Sequence, residues 1–214
     1  MLRVAKPPRA GLLLALLALC ATPAAGRRPP DDVERDTPHA IRALHDFARC
    51  VARDHWARRV ARGLLAMDYR TDAYRRALRD FVQQRGHCLP PYHLLASNAF
   101  RFSGALAEAY LPRTPDLAAL VAYDPARPPL QARDEIEMMS LCTVRGAPAS
   151  VAALLATEPA SAEEAAALRA ITPQLGQCLR SGARTRVNPL EVRALLALAA
   201  WRLGEQNLGA EPNP

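Results

Sequence analysis

The cysteines are the residues whose chemistry this sequence defines best. Cys20 lies in an apolar N-terminal stretch, and the other four are Cys50, Cys88, Cys142 and Cys178. In an exported protein an even number of cysteines indicates disulfides, and four cysteines allow three pairings. A four-cysteine zinc site is the alternative, but such sites normally contain closely spaced CxxC pairs, which are absent here. Disulfides are therefore predicted, and no metal ligands.

An internal duplication chooses among the three pairings. A shift of 90 positions aligns residues 154–178 with 64–88, and 14 of 47 aligned positions from 64 to 110 are identical. Each copy then has one early and one late cysteine. The predicted bridges are Cys50–Cys88 and Cys142–Cys178. Each closes a loop of nearly 40 residues, for which chain entropy gives roughly 4 kcal/mol of stabilisation.

The histidines are the other candidate metal ligands. All five lie in the first copy, at His39, His45, His55, His87 and His93. A duplicated metal site would repeat some of them, and the second copy has none. A reactive Cys88 thiol beside a histidine is the remaining possibility, but the matching position in the second copy is a glutamine. The sequence therefore predicts neither a metal site nor a redox site.

A dense run of arginines is the only candidate binding surface. The run consists of Arg49, Arg53, Arg58, Arg59 and Arg62, and the last three form its centre. Such a run is a candidate docking surface for an anionic partner, a lipid headgroup or an envelope polysaccharide. The alternative is a solvated helix face whose arginines reflect the codon usage of a GC-rich genome, since Lys6 is the only lysine in the chain. Both interpretations stay open at this stage.

Catalytic signatures are absent from the sequence. Ser97 and Ser103 lie in no nucleophile elbow. No glycine-rich phosphate-binding loop occurs either. The sequence therefore predicts no catalytic residues, no cofactor-binding residues and no cofactor.

The N-terminus has the pattern of a signal peptide. Arg3, Lys6 and Arg9 precede an apolar stretch at 11–21, and small residues before position 27 suit cleavage after Gly26. This stretch is shorter than the roughly 20 residues of a transmembrane helix. A lipoprotein signal using Cys20 is the alternative, but Leu19 stands where a small residue is usual. We expect a periplasmic or secreted protein with no transmembrane span.

The charge of the chain is unevenly distributed. The net charge is +7 overall. Residues 27–113 contain 16 arginines against 10 acidic residues, whereas residues 114–214 contain 9 against 11. This asymmetry suits either contact between the two parts or an anionic partner. Export argues against nucleic acid as that partner.

Hydrophobic spacing predicts an all-α protein. Apolar residues recur at helical intervals and no segment alternates with period two. Helix-start signals precede several of these segments, including the capping box at 161–164. The expected fold is two tandem homologous repeats of about four helices, each closed by one disulfide. The expected divisions are a signal peptide at 1–26, a flexible leader at 27–38, repeat 1 at 39–111, a proline-rich linker at 112–130, repeat 2 at 131–204 and a disordered tail at 205–214.

Three side chains lead to more specific expectations. Trp56 and Val60 are assigned to the apolar face of the second helix, and Pro173 is expected to end or kink a helix early. The last helix is apolar over more than one face, so it is expected to lie centrally between the repeats or under a partner.

Three motifs carry a resemblance to a known group. They are an LLA-containing helix, the S-A-E-E cap and the final L-G-x-C-L segment. Together they resemble exported repeat proteins of no known function from high-GC α-proteobacteria, over both copies. The first copy departs from this pattern at Asp68-Tyr69-Arg70. The resemblance implies architecture and carries no activity.

Three hypotheses for the function follow. The leading one is a non-enzymatic interaction module of the cell envelope that binds a protein partner through a helical surface. The second is a carrier of a small ligand or lipid, with a pocket between the repeats. The third is an enzyme with an unrecognised site.

Overall fold

The computed structural model describes residues 37–89, 97–111, 116–126, 128–179 and 187–208. Within these ranges the chain forms nine α-helices, one short 3-10 helix and no β-strand, so the predicted all-α class is confirmed. The expected signal peptide, leader residues 27–36, tail residues 209–214 and His93 lie outside the described residues.

The helices fall into two groups in chain order. The first half (residues 38–111) contains α1 (Pro38–Ala52), α2 (His55–Ala66), α3 (Asp72–Gln83), the 3-10 helix (Gly86–Cys88) and α4 (Ala99–Tyr110). The second half (residues 116–208) contains α5 (Leu117–Val121), α6 (Glu135–Gly146), α7 (Pro148–Ala156), α8 (Ala162–Gln177) and α9 (Pro189–Leu208).

Polar side chains fix where most helices begin, because they accept hydrogen bonds from otherwise unpaired N–H groups of the first turn. At α8, Ser161 Oγ accepts from the Glu164 N–H at 3.0 Å, and the Glu164 carboxylate accepts from the Ala160 N–H at 2.6 Å. This is close to the predicted capping box. The capping residues of the helices are Thr37, Asp54, Thr71, Asn98, Asp116, Asp134, Ser161 and Asn188.

The two predicted disulfides are confirmed. Cys50–Cys88 joins the end of α1 to the 3-10 helix after α3, and Cys142–Cys178 joins α6 to the residue after α8. In both bridges the Cα atoms lie 5.7 Å apart, within the ordinary range. Each half therefore has three helices tied covalently within it.

Each half has its own group of buried side chains. In the first half, Phe102 of α4 packs between Phe47 and Phe81, with ring centroids 5.9 and 6.4 Å away. In the second half, Leu154 and Leu196 are fully buried. These side chains fix α4 and α9 as the central helix of each half.

The two halves meet where α4 crosses α9. A Cβ atom placed on Gly104 would lie 2.3 Å from the Ala194 Cβ atom, so the helices approach too closely for any side chain at position 104. Trp201 of α9 is buried in the core of the first half. The expectation that the last helix lies centrally is therefore correct.

We predict opposite effects for alanine at two helical glycines. Gly104→Ala should lower the free energy of unfolding by about 1–3 kcal/mol, because α4 and α9 must move apart. Gly63→Ala is the matched control, since no atom lies within 4 Å of its added Cβ. It should stabilise the protein by about 0.5–1 kcal/mol through helix propensity. Urea denaturation measures both changes, and equal effects at the two positions would contradict the close crossing.

The predicted linker contains part of the second core. Residues 117–121 form α5, and Leu117, Leu120 and Val121 are buried against the second half. The segment at 112–115 lies outside the described residues. The sequence predicted only a linker here and missed its role in packing.

The last helix is longer than expected, which corrects the predicted start of the tail at 205. The α9 helix continues to Leu208. Its final turn is held by Glu205, which pairs with Arg62 at 2.5 Å, and by Asn207, which donates to the Leu120 carbonyl at 2.7 Å. Sequence patterning does not reveal these tertiary contacts.

The expected end of a helix at Pro173 and the expected burial of Trp56 and Val60 were wrong. Pro173 lies inside α8 without ending it; Pro173 and Arg169 are both exposed, so water can solvate the carbonyl that proline leaves without an N–H partner. On α2, Trp56 is 86% exposed and Val60 49% exposed. The buried face of α2 is instead formed by Ala57, Ala61, Leu64 and Leu65.

Helix length and apolar character also determine whether a described helix could cross a bilayer. No single helix there has the length and apolar character needed to cross a bilayer, and α6 and α7 meet the criterion only together, with a 99° bend at their junction.

Candidate functional site

A cleft of about 1120 Å³ lies between the two halves. Helices α1, α2 and α4 line it from the first half, and α5, α7 and α9 from the second. Alanines face it from both sides, including Ala105 and Ala109 of α4 and Ala152 and Ala156 of α7. Since these side chains end at Cβ, the facing helices leave open space between their backbones.

One wall of the cleft is strongly cationic. Arg49, Arg53, Arg58 and Arg62 all line it from α1, α2 and the turn between them. Arg49 pairs with Asp46 at 2.7 Å and Arg62 with Glu205. No carboxylate among the described residues lies within ion-pairing distance of Arg53 or Arg58. These two guanidinium groups are the cleft's uncompensated positive charges.

The cleft also has an apolar part. Leu111, Leu117, Leu155 and Trp201 contribute to its lining. Trp201 is only 6% exposed, so its ring belongs mainly to the protein core. The cleft therefore combines guanidinium donors with apolar surface. This combination suits the polar and apolar parts of an amphipathic ligand.

A buried ion cluster lies beside the cleft and joins the halves. Arg193 of α9 is 4% exposed. Its Nε and Nη2 atoms donate to the two carboxylate oxygens of Glu108 on α4, both at 2.7 Å. Its Nη1 atom also lies 3.2 Å from Glu164 of α8. Burial opposes the charge on Arg193, but hydrogen bonds and charge from Glu108 and Glu164 outweigh it and raise the Arg193 pKa.

The same guanidinium caps the end of α7. Arg193 donates to the carbonyl oxygens of Leu154, Leu155 and Thr157 at 3.2, 3.1 and 3.0 Å, and to the Thr157 hydroxyl at 3.1 Å. The last carbonyls of a helix have no partner within it, so a buried helix end requires such donors. Arg193 thus fixes α7, one wall of the cleft, relative to α4 and α9.

His45 borders the cleft and lies next to this cluster. Burial, together with the charges of Arg193 and Arg49, lowers the pKa of His45 to about 4. Its Nδ1 atom lies 3.7 Å from Glu108. At neutral pH His45 is uncharged and forms no ion pair there.

The depressed pKa predicts a specific pH dependence of stability. As the pH falls below 6.5, the unfolded chain takes up a proton at His45 that the folded protein does not bind. The free energy of unfolding should therefore decrease between about pH 6.5 and pH 4, by up to about 3 kcal/mol from this group. His45→Gln should abolish that part of the dependence in urea titrations, whereas the exposed control His55→Gln should keep it. An unchanged slope in His45→Gln would contradict the assignment.

A second, smaller cavity lies on the other side of His45. It has a volume of about 300 Å³ and is lined by Ile41 and Leu44 of α1 and by Leu168 and Leu190 of the second half. Arg193 also reaches this cavity. Its lining is more apolar than that of the cleft, although Arg101 and Glu164 also contribute to it.

The chain was compared with protein-family models, with curated proteins and with solved structures. None of them matches it. The function is therefore proposed from the geometry and chemistry of the cleft.

The structure separates the arginines that the sequence grouped together. Arg58 and Arg62 line the cleft, whereas Arg59 is exposed outside it. Successive helical residues differ by about 100° in direction, so a run of arginines cannot form one surface. The cleft takes three of its six helices from the second half, which the sequence did not associate with this run.

Sequence reasoning also missed the ion cluster. Arg193 stands alone within an apolar helix, between Val192 and Ala194. A single arginine at a buried helix position requires acidic partners, and that was the available signal. Nothing in the spacing shows that the partners are Glu108 and Glu164.

The described histidines do not form a metal site with the cysteines. Cys50, His87 and Cys88 bring their ligand atoms within 4.8 Å of one another. Both sulfur atoms are consumed by the Cys50–Cys88 disulfide, so neither is a thiolate donor. His39, His55 and His87 are exposed, and His45 is buried.

Proposed function

We propose that this protein is a non-enzymatic, exported binding module that holds an acidic, partly apolar segment of a partner protein in the cleft. The observation that carries the proposal is the pair of unpaired guanidinium groups, Arg53 and Arg58, beside apolar surface in an open cleft. Guanidinium forks match carboxylates in charge and geometry.

The size of the cleft favours a peptide segment. Small-molecule pockets typically measure about 300–1,000 Å³, and this cleft has about 1120 Å³. Arg58, Glu158 and Ala156 on its rim are exposed, so a chain can enter and leave along its length. The alanine-lined walls offer space for the side chains of the segment.

Acidic residues on the opposite wall make the electrostatic potential of the cleft uneven. Glu158 lies 3.7 Å from Arg49, and Glu205 is paired with Arg62. Glu108 is paired with Arg193, which it shares with Glu164. The net field inside the cleft is therefore positive near Arg53 and Arg58, which is where the carboxylates of a partner would bind.

Duplication of one helical unit is the proposed origin of the two halves. Support comes from positions 90 residues apart that perform the same task. Thr71 and Ser161 both cap a helix, and Asn98 and Asn188 do so as well. Tyr74 and Ser103 are hydrogen-bonded in the first half, and Glu164 and Arg193 pair in the second.

The contact between the halves supports the same origin. Gly104 and Ala194, also 90 residues apart, face each other where α4 crosses α9. Leu111 packs against the core of the second half and Trp201 against the core of the first. Two related units meeting through the same surface would give this reciprocal packing.

Export is proposed from the sequence together with the disulfides. The two bridges are consistent with an oxidising compartment. The signal-peptide pattern before residue 27 indicates the route. N-terminal sequencing of the mature protein tests this: a first residue of Arg27 is expected, and an intact Met1 in the cytoplasm would contradict it.

Matched charge variants test the cleft. The probe is a fluorescent 12-residue peptide of glutamate and leucine, measured by anisotropy against the same peptide with lysine in place of glutamate. Arg53→Gln/Arg58→Gln should weaken binding of the acidic peptide at least about tenfold. The control Arg76→Gln/Arg79→Gln removes the same charge from exposed positions of α3 and should leave it within about twofold. Equal losses in both variants would contradict a site in the cleft.

Carriage of a small apolar ligand is the second candidate function. It is favoured by the 300 Å³ cavity lined by Ile41, Leu44, Leu168 and Leu190. The probe is a medium-chain fatty acid added to the purified protein, with native mass spectrometry as the readout. Stoichiometric binding that Leu168→Trp blocks would support carriage, and absence of binding would contradict it.

A further inference from the structure

We propose that the outward face of α2 docks the protein on a membrane surface that carries anionic headgroups. This face is separate from the cleft, and the proposal does not depend on the function assigned there. Trp56, Arg59, Val60 and Gly63 form the face, at the spacing i, i+3, i+4 and i+7 that follows one side of a helix.

The apolar part of this face is unusually accessible. Trp56 is 86% exposed and Val60 49% exposed, although both are large and apolar. Gly63 and Ala66 on the same side are exposed as well. The Trp56 ring is therefore almost fully open to solvent. Tryptophan favours the boundary between water and lipid, where its ring is buried and its N–H remains near polar groups.

The cationic part of the face complements an anionic surface. The sequence of α2 contains three arginines and no acidic residue. Arg59 is exposed, and no carboxylate among the described residues pairs with it. Arg76 and Arg79 are exposed on α3, which packs against α2. Arginines near an anionic leaflet each contribute about 1 kcal/mol to binding, and the attraction weakens with salt.

The acidic residues at the ends of α2 are already engaged. Asp54 accepts the Trp56 N–H at 2.9 Å as the N-cap of the helix. Asp68 binds the Arg70 guanidinium at 2.9 Å, and this contact lowers the Asp68 pKa. Asp72 pairs with Arg75. Asp68 and Asp72 are thus held by other arginines and Asp54 at the N-cap, and none of the three pairs with Arg59.

The shape of the face favours a membrane over a protein partner. A 12-residue helix is about 18 Å long. Stable protein interfaces bury about 800 Å² on each partner around several anchoring side chains, whereas this face offers only Trp56 and Val60. Weak, reversible attachment to a bilayer requires no matching pocket.

Vesicle binding tests the proposal. The probes are sedimenting vesicles of phosphatidylglycerol and phosphatidylcholine in equal amounts, and vesicles of phosphatidylcholine alone. Wild-type protein should bind the anionic vesicles, bind the neutral ones much more weakly, and dissociate as salt is added. Binding should shield the exposed Trp56 from quenching by acrylamide, whereas the buried Trp201 is little quenched in either state.

Matched variants identify the residues responsible. Trp56→Ala should lower the vesicle partition coefficient at least about tenfold, and Tyr123→Ala, which removes another exposed aromatic, should leave it unchanged. Arg59→Gln should lower it about fivefold, and Arg169→Gln on the exposed side of α8 should not. Urea denaturation confirms that each variant is folded.

Three outcomes would overturn the proposal. One is equal binding to neutral and anionic vesicles. Another is wild-type binding by Trp56→Ala. The third is self-association in solution that Trp56→Ala abolishes while vesicle binding is absent, which would make the face an interface between copies of this chain.

Discussion

Replacement of Arg193 by methionine is expected to lower the free energy of unfolding by about 3–5 kcal/mol. Methionine preserves most of the aliphatic stem, so the loss comes from the charge and its hydrogen bonds. Glu108 and Glu164, which are mostly buried, would lose their counter-charge. The carbonyl oxygen of Leu155 at the end of α7 would lose its Arg193 donor, whereas that of Leu154 would keep the Thr157 N–H and hydroxyl.

Two controls separate the ion cluster from a general effect of losing an arginine. Arg169→Met, on the exposed side of α8, should change stability by less than about 0.5 kcal/mol. Adding Glu108→Gln and Glu164→Gln to Arg193→Met should recover part of the loss, because neutral amides are less costly to bury than carboxylates. A loss below about 1 kcal/mol in the single variant, measured by urea denaturation, would contradict the cluster's role.

Removal of the second disulfide is expected to cost about as much. Cys142→Ala/Cys178→Ala should lower the free energy of unfolding by about 4 kcal/mol, because the bridge closes a loop with a sequence separation of 36 in the unfolded chain. The first bridge spans 38 residues, so Cys50→Ala/Cys88→Ala should cost nearly the same. Urea denaturation of the oxidised wild type and both variants measures the two effects.

Peptide mapping without reductant checks the pairing independently. A peptide containing Cys142 linked to Cys178 is expected, with no free thiol on either residue. A peptide joining Cys50 to Cys142 or to Cys178 would contradict the fold of both halves. Stability losses that differ by several kcal/mol would show that one bridge acts through native packing rather than through the unfolded chain.

The disulfides and helix starts were predictable because they depend on short or repeated patterns. The cysteine pairing followed from two stretches that align at a fixed shift, and the structure has those bridges. Caps such as Ser161 and Asn98 act within three residues of their own position. The signals for helix capping are therefore local in the chain.

The orientation of α2 was not predictable in the same way. Its sequence has apolar residues on two sides, with Trp56 and Val60 on one and Leu64 and Leu65 on the other. Periodicity shows that such a helix exists without showing which side is buried. Packing against α4 and α3 decides that Leu64 and Leu65 face inward.

The cleft depends on the arrangement of both halves and was therefore only partly predictable. The arginine run in the sequence includes Arg53, Arg58 and Arg62, which line the cleft, but the second-half wall near Leu155 joins them only in three dimensions. The linker residue Leu117 also lines the cleft. Residues so far apart in the chain form no common sequence pattern from which the cleft could be predicted.

The most direct test of the binding proposal is site-specific photo-crosslinking from the cleft. A photoreactive phenylalanine analogue replaces Ala156, which is exposed and lines the cleft, or Ala153, which is exposed on the same helix outside it. After incubation with envelope extract and irradiation, mass spectrometry maps the attached peptides. We predict acidic segments of a partner protein attached at position 156 and not at 153, and loss of these products in Arg53→Gln/Arg58→Gln. Equal attachment at both positions, or attached segments without acidic residues, would contradict the proposed function.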